Sequence, residues 1–427
     1  MKKTAIIFLA LCLVLPAAFP AHAKNQNHWG DWAWKSTSAV EDNPGIMHTI
    51  WESERPPYGP YDKIALHRFV YVGKSPEKMP KKDRVMFHLP GTWDTAWKGV
   101  TQPDFENHLF FANNGYDVFS MDYRVSYLPE LPLDRFDASS TAGWSYGVFR
   151  EDIKAGVELA KKLSGSKKVF MSGFSRGGTQ MWIYASKYGE DLKGLIGLDG
   201  GAPFPLATAP RSQAQYDAAV GAFLAAPVPR LTPSTTFEGY NRILFAGRLP
   251  DTTLVPGYRT LEECLLESVY YPTYGPPPAG TSLDTVSDLM AYFYNFAWND
   301  RFGPTPVTAY GILTNYFEGM IDKYTLMKAE AGMALYWPAI QNIERENDPG
   351  YGDNIAQITL PVIYFGGILG CGYYGERCTV PGLPYKCAGS DVTVITLPAF
   401  GHMDVMWGIH SRNEVKEPLL RWMEDRK

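Results

Sequence analysis

Gly173-Phe174-Ser175-Arg176-Gly177-Gly178 places a serine among glycines, directly after the apolar run Val169 to Ser172 and before a helical pattern from Thr179 to Ser186. At such a strand-to-helix corner a hydroxyl is presented for nucleophilic attack. The sharp turn aims it away from the sheet and puts the next amide at a helix N-terminus, where N–H groups are unpaired. The glycines serve that turn, because the serine backbone is strained there and neighbouring Cβ atoms would clash. A serine hydroxyl is a poor nucleophile at neutral pH and needs a base that titrates nearby, the property of imidazole. His402 is the candidate base: it follows the last apolar strand, Val392 to Leu397, in Pro398-Ala399-Phe400-Gly401-His402, and precedes a C-terminal helix. The rivals His28, His48, His67, His88, His108 and His410 do not follow a late strand in this way.

Positioning these groups requires a rigid sheet. Short β-rich runs recur at Phe69 to Val72, Val85 to Leu89, Asp117 to Met121, Val169 to Ser172, Leu195 to Leu198, Val362 to Phe365 and Val392 to Leu397. Several are apolar on both faces and are separated by helical patterns such as Asp152 to Leu163, which argues for a mostly parallel sheet covered on both sides. Between about Gly201 and Gly352 the strand rhythm stops, and Pro-rich loops alternate with helical stripes such as Val286, Leu289, Met290, Phe293 and Ala297. This span reads as an inserted, largely helical cap whose stripes pack it onto the core or face a substrate. Residues 24 to 63, rich in Trp and Pro, read as an irregular extension over the core. The expected division is 1–23, 24–200 (first part of the core), 201–352 (cap) and 353–427 (second part of the core).

The serine corner, the late Gly401-His402 and the strand order resemble the α/β-hydrolase superfamily, over most of the chain outside the cap. The resemblance implies an α/β fold with a doubly wound, mostly parallel sheet. His88-Leu89-Pro90-Gly91-Thr92-Trp93-Asp94-Thr95-Ala96-Trp97 is similar to the His-Gly loop after the third strand of plant methylesterases and hydroxynitrile lyases. That similarity implies an oxyanion hole made by the backbone amides of Thr92 and Arg176. Gly401 to Trp407 is similar to the histidine-containing tail of acid and gastric lipases.

The third triad member departs from the family's usual pattern, in which the acid follows the strand before the histidine strand. Here that strand ends Tyr364-Phe365-Gly366-Gly367-Ile368-Leu369-Gly370, with no acid nearby. Asp199, in Gly197-Leu198-Asp199-Gly200-Gly201, offers a substitute; a similar Leu-Asp placement supplies the acid in pancreatic-type lipases. A structural strand-end role for Asp199 stays open, as does Glu376 in the cysteine loop as the acid. Asp404 is better placed to cap the following helix, and Asp122 resembles a position that is structural in the superfamily.

These features lead to the expectation of a serine hydrolase acting through an acyl-enzyme on a small-molecule hydrophobic or aromatic carboxylic ester, esterase- or lipase-like, with no metal or organic cofactor. The alternatives are a peptidase using the same triad, a lyase suggested by the His88 loop alone, and a non-catalytic binding protein that kept the fold. With a formal net charge of −5, nothing in the composition points to nucleic acid as a partner.

Lys2 and Lys3, an apolar stretch from Ala5 to Leu15 and Ala21-His22-Ala23 have the layout of a secretory signal peptide, cleaved after Ala23. Cleavage takes the formal charge to −7 and leaves 404 residues. Export to the periplasm or medium is expected, without a membrane span. Cys12 has Leu11 before it, where a lipoprotein site wants a small residue. Cys264, Cys371, Cys378 and Cys387 then form an even set in an oxidising compartment and are expected to make two disulfides, in any of three pairings. Their spacing lacks the short Cys-x-x-Cys pairs of zinc sites. Oligomeric state is not encoded in any of these features.

Overall fold

The computed structural model describes residues 28–29, 31–91, 94–97, 106–128, 138–141, 143–200, 231–233, 336–338, 357–367, 391–398, 404–408 and 410–426, with positions 99, 101, 103–104, 214, 218, 221–222 and 400. The strands, in chain order, are β1 His28–Trp29, β2 Trp32–Val40, β3 Asn43–Glu54, β4 Lys63–Tyr71, β5 Val85–Leu89, β6 Asp117–Asp122, β7 Val169–Phe174 and β8 Leu192–Leu198. They continue with β9 Leu231–Pro233, β10 Tyr336–Pro338, β11 Val362–Gly367 and β12 Val392–Leu397. The helices are α1 Asn107–Asn113, α2 Tyr146–Ser164, α3 Arg176–Tyr188, α4 Asp404–Trp407 and α5 Glu417–Glu424.

Ten of these strands form one sheet in the order β1-β2-β3-β4-β6-β5-β7-β8-β11-β12. From β6 through β5, β7, β8 and β11 to β12 the pairings are parallel, while β1 to β4 and the β4–β6 pair are antiparallel. Every residue of β5, β7 and β11 is buried. Strands covered on both faces read as unbroken apolar runs, which is why they were recognisable.

One face carries α2 and α3. Phe87 and Leu89 of β5, Met171 of β7 and Leu195 of β8 share a core there with Phe149, Ile153, Val157, Met181 and Trp182. Gly156 lets α2 approach the sheet, since a Cβ there would stand 3.1 Å from the Phe87 ring. On the other face Phe170 of β7 meets Trp422 of α5 at a centroid distance of 5.9 Å. Helices on both faces make the sheet doubly wound.

Two expectations change. Residues 24–63 are not an irregular extension in their described part: β2 and β3 form a hairpin that continues the sheet beyond β4, turning at Asp42, whose φ is 61°. Most of β2 is exposed, so it has no apolar run to announce it. Helix α2 begins at Tyr146, six residues before the expected Asp152, where the Ser145 hydroxyl accepts from the Val148 amide at 3.2 Å. That capping serine was the overlooked signal. The expected cap lies almost wholly outside the described residues; its described part includes the antiparallel pair β9–β10, which was not anticipated.

A buried polar network ties the end of β6 to α2. Arg124, 1% exposed, donates to the Asp152 carboxylate at 2.6 and 2.9 Å, to Asp62 and to the Pro56 carbonyl. Trp144 adds a 2.7 Å bond to Asp62. With so many partners, this buried guanidinium avoids the penalty of an unpaired charge.

Candidate active site

Ser175 sits between the end of β7 and the start of α3 with φ 53° and ψ −122°. This is a left-handed conformation that a residue with a Cβ rarely adopts, costing of order 1–3 kcal/mol. Its amide donates to the Leu198 carbonyl at 3.2 Å, and its carbonyl accepts from the Gly178 amide at 3.0 Å. The glycines allow the close passages around it. A Cβ on Gly177 would run into the Leu89 carbonyl, one on Gly173 into the Gly177 carbonyl, and one on Gly178 would stand 2.9 Å from the Gly200 Cα. The backbone itself therefore requires the glycines on both sides of the serine.

The loop leaving β5 passes over this corner. A Cβ on Gly91 would stand 3.1 Å from the Ser175 Cβ. The chain then turns, with the Asp94 amide donating to the Gly91 carbonyl at 3.3 Å. Arg176 opens α3, and its side chain donates to the Tyr146 hydroxyl at 3.4 Å.

Asp199 lies one step past β8, fully buried, with φ 44°. Its amide donates to the Phe365 carbonyl at 2.7 Å, and its Oδ1 accepts from the Gly367 amide at 2.8 Å. The carboxylate is thus fixed at the carboxyl end of β11, the strand after which the family's acid usually comes. In the next pairing Gly367 faces Leu397, the last residue of β12, five residues before His402.

A family model for the alpha/beta hydrolase fold matches residues 89–304, which include the serine corner and Asp199. The chain belongs to the α/β-hydrolase fold family. Among solved structures, this α/β-hydrolase is similar to a lipase candidate from Sulfolobus solfataricus, at 22% identity and a TM-score of 0.60, covering 93% of this chain and 100% of that one. It also aligns with a laboratory-evolved variant of a potato epoxide hydrolase, at 14% identity and a TM-score of 0.41, covering 92% and 99%. A thioesterase domain from the curacin biosynthetic pathway aligns at 12% identity and a TM-score of 0.41, covering 85% and 95%. No curated protein sequence matches the chain.

Of the residues expected to act in this α/β-hydrolase, Ser175, Arg176 and Asp199 are described and stand at the carboxyl ends of neighbouring strands. His402, Thr92 and Glu376 lie outside the described residues, as do residues 1–27 and all the cysteines. Among the rival histidines, four are buried in other pairings. His88 Nδ1 is 2.6 Å from the Ser172 hydroxyl, His108 pairs with Glu106, and His48 Nε2 is 2.9 Å from His67 Nδ1. His410 is exposed. Asp404 is the first residue of α4 and is buried. Among the described residues, no group of three or more His, Cys, Asp or Glu is placed to hold a metal ion, and no helix is long and apolar enough to cross a membrane.

Asp122, which resembles a structural position of the superfamily, meets both the loop after β5 and a histidine of β4. Its Oδ1 accepts from the Ala96 amide at 2.6 Å, and its Oδ2 faces His67 Nε2 at 3.1 Å. Burial pushes this carboxyl up, but the charge and hydrogen bond of His67, the Ala96 amide and His48 outweigh it and leave the pKa below the ordinary value. The available signal was that Asp122 ends β6, the parallel neighbour of β5, on the side from which the Gly91 loop emerges.

Proposed function

We propose that this α/β-hydrolase is an exported serine hydrolase that cleaves hydrophobic or aromatic carboxylic esters, of esterase or lipase type. The observation that carries the reading is the strained Ser175 between β7 and α3, with the Asp199 carboxylate held at the end of the adjacent strand. Export rests on Lys2, Lys3 and the apolar stretch that ends in Ala21-His22-Ala23.

In this mechanism the Ser175 Oγ attacks the ester carbonyl carbon while His402 takes its proton. The carbonyl electrons move onto oxygen, and the amides of Thr92 and Arg176 hold the resulting oxyanion, each such donor being worth roughly 3 kcal/mol. Collapse breaks the bond to the alkoxy oxygen, which leaves as the alcohol with the proton from His402. Water then attacks the acyl-Ser175 carbonyl, giving a proton to His402, and collapse releases the acid and restores the serine. Asp199 orients the imidazole and balances its charge between these transfers.

The test compares the full-length chain with Ser175→Ala on nitrophenyl esters of increasing acyl length. Serine-dependent turnover supports the reading, and the chain-length optimum gives the acyl preference. Equal rates for the two proteins would sink it. Strong turnover of peptide anilides with weak ester cleavage would favour the peptidase.

A further inference from the structure

The loop between Gly91 and Trp97 is held at both ends. At one end Gly91 rests against Ser175, and the Tyr123 hydroxyl donates to the preceding Pro90 carbonyl at 3.3 Å. At the other, the Ala96 amide donates to Asp122 Oδ1, and the Trp97 ring packs 4.9 Å from Phe69 and 5.7 Å from His48. Thr92, the proposed oxyanion donor, lies between these anchors in sequence.

The Asp122 end is itself braced from behind. His67 on β4 directs Nε2–H at Asp122 Oδ2, and its Nδ1 meets His48 Nε2 from β3. His48 stacks on Phe69 with centroids 4.3 Å apart and an interplanar angle of 9°. Burial, then the neighbouring His67 and His108, push His48 down to about 3, so its ring stays neutral at ordinary pH. With His67 Nε2–H directed at the carboxylate, a neutral His67 accepts at Nδ1, and a neutral His48 donates to it from Nε2. Each oxygen of Asp122 therefore has a fixed donor, which leaves the carboxylate little freedom to release Ala96.

The geometry points to Asp122, braced by His67 and His48, as a positioning residue that holds the loop after β5 at the nucleophile and so sets the oxyanion donor. This inference rests on the proposed hydrolytic reading, in which that loop supplies an amide to the transition state. A carboxylate suits the task because a charged acceptor makes a stronger bond to an amide than a neutral one, and because Asp122 stands on a strand of the sheet and is braced from β4 and β3. The effect belongs to the transition state, where charge develops, rather than to ground-state binding.

The experiment uses the full-length chain and the variants Asp122→Ala, Asp122→Asn, His67→Gln and Ser175→Ala. Hydrogen exchange followed by mass spectrometry reads peptides covering 91–97, and steady-state kinetics on a nitrophenyl ester read kcat and KM. Inhibition by an alkyl boronic acid, which adds the serine oxygen to form a tetrahedral boronate, reads the oxyanion site. For Asp122→Ala the expected result is faster exchange in 91–97, kcat lower by about 100-fold with KM within about twofold, and a weakening of boronic acid inhibition of similar size. Asp122→Asn retains a carbonyl oxygen for Ala96 and is expected to recover most of the loss, while His67→Gln falls between. Unchanged exchange in 91–97 for Asp122→Ala overturns the inference, as does faster exchange with kcat and boronic acid inhibition unaltered. If Asp122→Ala fails to fold, Asp122→Asn and His67→Gln carry the same comparison. Should the wild type show no Ser175-dependent hydrolysis, the hydrolytic reading falls, and the exchange measurement still decides whether Asp122 holds the loop.

Discussion

The Asp199 carboxylate accepts a 2.8 Å hydrogen bond from the Gly367 amide. An acid on one strand is thereby fixed at the end of the next, where the glycines of β11 leave no acid of their own. If Asp199 orients His402, Asp199→Asn keeps an oxygen for the Gly367 amide and so the local structure, but presents the wrong group to the imidazole. The expected outcome is a folded protein with kcat lower by about 10⁴-fold, against little change for Glu376→Gln. Ester kinetics and a thermal melt of both variants check it, and the reverse ranking would transfer the role to Glu376.

Ser175 stores backbone strain at φ 53°. Glycine tolerates that conformation and alanine does not, so Ser175→Gly is expected to be more stable than Ser175→Ala by about 1 kcal/mol, with both inactive. Urea unfolding of the pair measures the difference. Equal stabilities would mean that the turn relaxes once the hydroxyl is gone.

Arg124→Met removes a buried cation and leaves the carboxylates of Asp62 and Asp152 without their main partner. Loss of one side of such a network is expected to cost roughly 3–5 kcal/mol. The drop appears as a lower urea midpoint with an unchanged slope.

Lys416 is fully buried, and its ammonium donates to the carbonyls of Met406 at 2.9 Å and Asp104 at 3.0 Å and to the Ser411 hydroxyl at 2.6 Å. Burial pushes it down to about 7 from 10.5, against the pull of Glu106 and Asp104 and with a smaller push from Arg412. Between those two values the unfolded chain binds a proton that the folded chain lacks, so this residue makes stability rise with pH across that window. The stability of the wild type relative to Lys416→Met is therefore expected to grow from pH 7 to 10 and to be level below 7. Urea unfolding at several pH values checks this, and a flat difference would place the folded-state value near that of a free lysine.

Much of the centre of this molecule was legible in the residues. Strands β5, β7, β8 and β11 were found because both their faces are apolar, and the serine corner because glycines flank it wherever backbone passes within contact distance. The exposed hairpin strand β2 was missed, since a strand facing water carries no apolar run. The start of α2 was missed because the charged run Arg150-Glu151-Asp152 interrupts its apolar pattern, although Tyr146 and Phe149 carry the buried stripe back to the cap at Ser145.

By itself, then, the sequence determined the local chemistry: a strand, a strained serine, a helix, and acids and histidines at strand ends. The tertiary structure decided which of those ends meet. Gly367 reaches Asp199 across 168 positions, and His67 reaches Asp122 across 55, only because β11 lies beside β8 and β4 beside β6. Those neighbours are chosen by packing between strands that are apolar on both faces, and such strands have sequences too alike to reveal which will pair with which.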